Sequence, residues 1–190
     1  MNKEPFIPIS FIREENWVSK LSDFLIDHDV EVIPLVDRDI IDITSNRLDW
    51  EISLNIRDYY LNFGGIESSD FMYNLKSLSD FEYLKDSEWE FISLYFRKEE
   101  IDDFIVFSES PGNDPICIQK STNEIFLFSH DPIKNAKVYN NFDDYVLNEI
   151  IEIQKLFAEI KFDSSAEELN YKMKVLGGEN IDYQFRSIKL

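Results

Sequence analysis

One cysteine, Cys117, and two histidines, His28 and His130, are present in a chain of 190 residues. A single thiol forms no internal disulfide, so no bridge holds the fold and the composition suits a reducing compartment. With so few ligands and no CxxC or HExxH spacing, a zinc site is excluded, and the missing EF-hand spacing excludes a dedicated calcium loop. Four of the five glycines fall in two pairs, Gly64-Gly65 and Gly177-Gly178, and neither sits in a GxGxxG or P-loop context. They read as structural turns, not phosphate cradles. No apolar run reaches signal-peptide or membrane-spanning length, so the predicted location is the cytoplasm. No cofactor is predicted.

Positive charge is also scarce. Thirty-eight acidic residues face nineteen basic ones, a formal net charge of −19. Such a surface repels nucleic acid and anionic membranes and favours basic partners. The imbalance is local: residues 161–190 hold five acidic and five basic side chains, so residues 1–160 carry the whole excess. What the chain has in quantity is aromatic side chains, 16 Phe, 9 Tyr and 3 Trp, enough to exclude disorder and fill one core.

Helical spacing of Trp17, Leu21, Phe24 and Leu25 predicts an amphipathic helix over residues 14–27, with acidic residues at its start complementing the helix dipole. Val30 to Ile33 alternates as a short strand closed by Pro34, and residues 37–42 form an acidic apolar stretch of undecided type. In residues 54–65, Asn55 is suited to cap a short helix with Ile56, Tyr59, Tyr60 and Phe63 on one face, and Gly64 to end it in the left-handed region. Residues 73–90 predict one helix or a strand-turn unit. Phe104–Phe107, Ile116–Ile118 and Glu124–Phe128, separated by turn clusters, predict an antiparallel meander. A helix from Asn141 to Glu159 carries the clearest apolar stripe. The tail predicts a short helix near residues 165–172, a break at Gly177-Gly178 and an edge strand through Ile181, Tyr183 and Phe185.

Little of this carries catalytic chemistry. Cys117 and His130 fall on neighbouring predicted strands and form the one conceivable nucleophile pair, but no nucleophile signature surrounds them. The chain is therefore read as non-enzymatic, with a buried thiol and a turn histidine. Paired carboxylates such as Asp102-Asp103 and Asp143-Asp144 read as solvated faces. Taken together, the acidic clusters ask for a use, because so large an imbalance destabilises by self-repulsion. Steering toward a basic protein is the simplest one. The partner-binding candidates are Asp37, Asp39, Glu88, Glu90, Glu99, Glu100, Asp102 and Asp103.

The order of these pieces resembles the SUKH superfamily of bacterial immunity proteins and fungal cell-wall assembly regulators. The resemblance rests on the helix holding Trp17, the Leu54-to-Gly65 segment, the meander from Phe104 to Phe128, and Phe142-Asp143-Asp144-Tyr145-Val146 opening the last helix. It covers residues 14–160, with Asn55 standing where the family usually has proline. The resemblance implies an α+β fold, a central antiparallel sheet flanked by helices, in a SUKH-like domain spanning residues 1–160. Residues 161–190 are a C-terminal extension expected to pack on that domain. It also implies an immunity protein that neutralises a co-encoded toxin, commonly a nuclease, whose basic groove an acidic protein would cover. The alternative is a regulatory or scaffold interaction module with no toxin partner. Direct nucleic-acid and membrane contacts are not expected under either reading.

Overall fold

The computed structural model describes residues 15–30, 39–65 and 74–176. In chain order the elements are α1 (Trp17–Asp27), α2 (Ile40–Arg47), α3 (Leu54–Tyr60), β1 (Asn74–Leu75), β2 (Glu82–Tyr83), α4 (Glu90–Tyr95), α5 (Lys98–Ile101), β3 (Phe104–Glu109), β4 (Pro115–Gln119), β5 (Ile125–His130), β6 (Ile133–Tyr139), α6 (Phe142–Leu156) and α7 (Ser165–Leu176). Single 3-10 turns fall at Leu78–Asp80 and Leu84–Asp86. The fold is α+β. Every strand pairing is antiparallel, in the order β1-β3-β4-β5-β6, and β2 also pairs with β3, so two short strands share one edge of that strand.

Alternation along β3, β4 and β5 divides the sheet's side chains between two cores. Ile105, Phe107, Ile116, Ile118, Ile125 and Leu127 face the larger core, built with α1, α2, α3 and α6. Phe104, Val106, Cys117 and Phe128 face a smaller one closed by Leu84, Ile92 and Ile101. The alternation is broken once. The register of β3 on β4 shifts between Val106 and Ser108, a β-bulge that aims both Phe107 and Ser108 at α6. There Phe107 packs against Tyr145 with ring centres 4.9 Å apart, and the Ser108 hydroxyl lies 2.9 Å from the Tyr145 hydroxyl.

The last long helix is set by its ends. The side chain of Asn141 accepts a hydrogen bond from the Asp144 backbone N–H at 3.0 Å, Asp143 and Asp144 occupy the first turn, and Lys155 the last, all matching the helix dipole. It stops at Leu156, short of the expected Glu159, and Ala158 beyond it is left-handed at φ 57°. α7 returns along α6. Glu152 contacts Lys155 and Lys172, while Glu168 reaches Lys155 at 2.6 Å and Lys172 at 2.8 Å. Leu176 is buried, and Leu169, Tyr171 and Val175 pack against the larger core.

Several local expectations are corrected. α1 begins at Trp17, not residue 14, and has no acidic residue in its first turn. Ser53, not Asn55, stands at the N-cap of α3, and the Asn55 amide instead donates to Asp143 Oδ2 at 2.6 Å. A helix-end contact has become a tether between α3 and α6. The same helix ends at Tyr60 with Leu61 still right-handed, well before Gly64. The glycine demand falls on Gly65, where a Cβ would sit 2.3 Å from the Leu75 carbonyl oxygen. Of the undecided stretch at 37–42, residues 40–42 open α2, and of the predicted unit at 73–90, residues 74–86 form two-residue strands and 3-10 turns. Of the strand expected at 30–33, Val30 is buried and outside any strand, and residues 31–33 lie outside the described residues, as do the Gly177-Gly178 break and the strand near 181–185. Among the described residues no helix is long and apolar enough to cross a membrane.

Candidate functional site

Six of the eight predicted binding residues come from one segment, residues 84–103, which crosses the sheet on the side of the smaller core. Asp39 is elsewhere, at the start of α2, whose Ile41 belongs to the larger core. Asp37 lies outside the described residues.

Within the segment the carboxylates divide by partner. Glu100 receives the Arg97 backbone N–H and its guanidinium, both at 2.8 Å, which caps α5 and holds the Glu100 carboxyl below the usual range. Asp102 pairs with Lys85 at 3.1 Å. Asp103 accepts from the Ser121 hydroxyl and ties the segment to the β4–β5 turn. These three are consumed by the fold. Glu88, Glu90 and Glu99 are exposed, and among the described residues their carboxylates make no hydrogen bond or ion pair, although the Glu90 carbonyl accepts from the Ser93 hydroxyl at 3.0 Å.

Between them stands apolar surface that composition alone did not reveal. α4 has only one fully buried side chain, Ile92, and leaves Leu94 71% and Tyr95 62% exposed. Trp89, half-buried at the N-cap of α4, is fixed by donation from its indole Nε1 to the Asn113 carbonyl at 2.9 Å. Trp89, Leu94 and Tyr95, with solvated carboxylates before and after them in the chain, are residue types found in protein-binding patches. The available signal in the sequence was Glu88-Trp89-Glu90, an indole between two acids in a segment without room for a long helix.

Beside Trp89 opens a cavity of about 500 Å³, lined by Lys76, Glu82, Glu88, Trp89, Glu109 and Asn113. Lys76 Nζ sits 5.3 Å from the centre of the indole ring, 3.3 Å from Glu109 and 3.5 Å from Glu82.

The conceivable nucleophile pair is separated by the sheet register. Cys117 pairs with Phe126 on β5, four residues before His130, which places the two about 13 Å apart along the strand. Complete burial pushes the Cys117 thiol well up from its ordinary value, so the reactive thiolate is disfavoured. His130 is engaged through Nδ1 with Asp114 at 2.6 Å. Among the described residues no group of His, Cys, Asp or Glu side chains gathers to hold a metal ion.

Comparison with known families finds a match to the SMI1 / KNR4 family (SUKH-1) over residues 35–148. The chain belongs to this family. The SUKH-1 match takes in α2 through the first half of α6, and with them all six strands of the sheet, the smaller core and the whole acidic segment. It is narrower than the expected 14–160, because the Trp17 helix and the end of α6 fall outside it. No curated protein and no solved structure matches the chain.

Proposed function

We propose that this SUKH-1 protein is a cytoplasmic, non-catalytic immunity protein that binds a co-encoded toxin domain, a basic nuclease, and covers its substrate groove. The observation that carries the reading is the face of α4 and α5. The carboxylates of Glu88, Glu90 and Glu99 have no hydrogen-bond or ion-pair partner among the described residues, and exposed Leu94 and Tyr95 lie between them along the chain. A nuclease needs a positive groove for phosphates, and such a groove attracts this face at long range before the apolar side chains seat. The burial of Cys117 and its distance from His130 support a role without chemistry.

Co-expression of the chain with the C-terminal domain encoded by the adjacent reading frame, scored by growth rescue and co-purification, tests the reading. Rescue with a stable complex is expected. Absence of both overturns it in favour of a regulatory scaffold. Within a complex, Glu90→Lys with Glu99→Lys should slow association about tenfold or more at low salt and flatten its salt dependence. Stability should fall by no more than about 1–2 kcal/mol, because both side chains are solvated and their one structural role is to complement the helix dipole in the first turns of α4 and α5. Unchanged association kinetics would clear these two residues.

A further inference from the structure

The cavity beside Trp89 already holds a cation of the chain's own, and holds it loosely. The Lys76 ammonium lies 3.3 Å and 3.5 Å from its two carboxylates, against 2.6 Å and 2.8 Å for the lysines on Glu168 in the α6–α7 network. Glu82 and Glu109 therefore keep lone pairs to spare, and Glu88 at the rim adds a third carboxylate with no partner. One ammonium among three carboxylates leaves the lining net negative by two. The indole face is fixed before any ligand arrives, because its Nε1 donates to Asn113. The backbone of Lys76 is fixed as well, its N–H donating to Phe107 and its carbonyl accepting from the Tyr60 hydroxyl. Only its stem needs to move.

We propose that this cavity is a socket for an arginine side chain of the protein partner, an inference that rests on the protein-binding reading above. A guanidinium is planar, so it stacks on the Trp89 ring where an ammonium makes only a point contact. Its fork of donors bridges two carboxylates that Lys76 contacts at long range. The volume of about 500 Å³ leaves room for it alongside a displaced lysine. Such an anchor, seated in a preformed pocket at the start of α4, would fix the register of a complex that diffuse acidity only steers.

The test needs no toxin. The full chain is titrated with N-acetyl-arginine amide, N-acetyl-lysine amide and inorganic phosphate, while the indole N–H resonance of Trp89, assigned by its loss in Trp89→Phe, is followed by NMR. A saturable shift is expected with the arginine amide, several-fold weaker with the lysine amide and absent with phosphate. The response should fall about tenfold or vanish in Glu88→Gln with Glu109→Gln. No saturable response to arginine, a response to phosphate alone, or a response unchanged in the double variant would each overturn the socket. Those failures leave the immunity reading standing. A saturable arginine response without growth rescue would remove the toxin and keep the socket.

Discussion

On one side of the sheet, Phe107 is packed among the rings of Phe81, Phe142 and Tyr145, beneath a helix of 15 residues. On the other side, the layer is a six-residue helix, a four-residue helix and a 3-10 turn, which between them close their core with Leu84, Ile92 and Ile101. The first side buries a large aromatic core, although Ile26, Ile43, Leu54 and Leu156 on its helices stay exposed. The second leaves Leu94 and Tyr95 outside and ties three of its carboxylates to Arg97, Lys85 and Ser121. Under the proposed function, stability and recognition fall on opposite faces of one sheet, and the thinner layer is the one expected to open more easily.

Removing the aromatic anchor of the thick side should produce the largest effect. Phe107→Ala is expected to cost about 3–5 kcal/mol and to lower the global unfolding midpoint in denaturant, because the rings around it are too confined to fill the space. Ile92→Ala on the thin side should cost less, about 2 kcal/mol, since its neighbours stand near water and can settle into the gap. Its signature should be local. Hydrogen exchange should accelerate in residues 84–103 while amides of α6 stay protected; equal acceleration in both would break the division between the faces.

The third effect is smaller and depends on pH. Burial alone would raise the Glu152 carboxyl, but Lys172 and Lys155 outweigh it and hold the group below its ordinary 4.5; Glu168 is lowered in the same way. Groups lowered on folding contribute stability above their unfolded value and lose it as the pH falls through the folded one. Lys155, raised by the same partners against its burial, contributes below 10.5 and is lost as the pH climbs beyond it. Docking of α7 should therefore hold across neutral pH and loosen in acid below about 4.5 and in strong alkali. Hydrogen exchange of α7 across pH, corrected for intrinsic rates, checks this. A helix equally protected at acid and neutral pH would show that apolar contacts, with Leu176 chief among them, suffice.

The same contrast explains how much was legible in the sequence. α6 announced itself because a long stripe repeats its signal over several turns and Asn141 marks its start. The three meander strands were legible because β3, β4 and β5 are buried on both sides and so are rich in Phe, Ile and Val. β6 was missed: Ile133-Lys134-Asn135-Ala136-Lys137-Val138-Tyr139 lies at the sheet edge, exposed over its first half, and reads there as a polar loop. β1 and β2 pair over two residues each, too short for any period. In the candidate site, the acidic residues were visible by type. Which of them the fold consumes was not, because Asp103 meets Ser121 and Asp102 meets Lys85 only through tertiary contacts. The cavity escaped notice for the same reason, since Lys76, Trp89 and Glu109 converge from three separate stretches of chain.

The bulge at Phe107 gives β3 a change of parity. Before it, the even-numbered side chains Phe104 and Val106 belong to the thin side; after it, Ser108 turns to α6 and the odd-numbered Glu109 takes over that side. A strand of strict alternation would deliver the Glu109 carboxylate into the aromatic packing around Tyr145 and leave a small hydroxyl beside Trp89. The polar cavity and the apolar core are thus set by one inserted residue, and a single deletion in β3 would forfeit both.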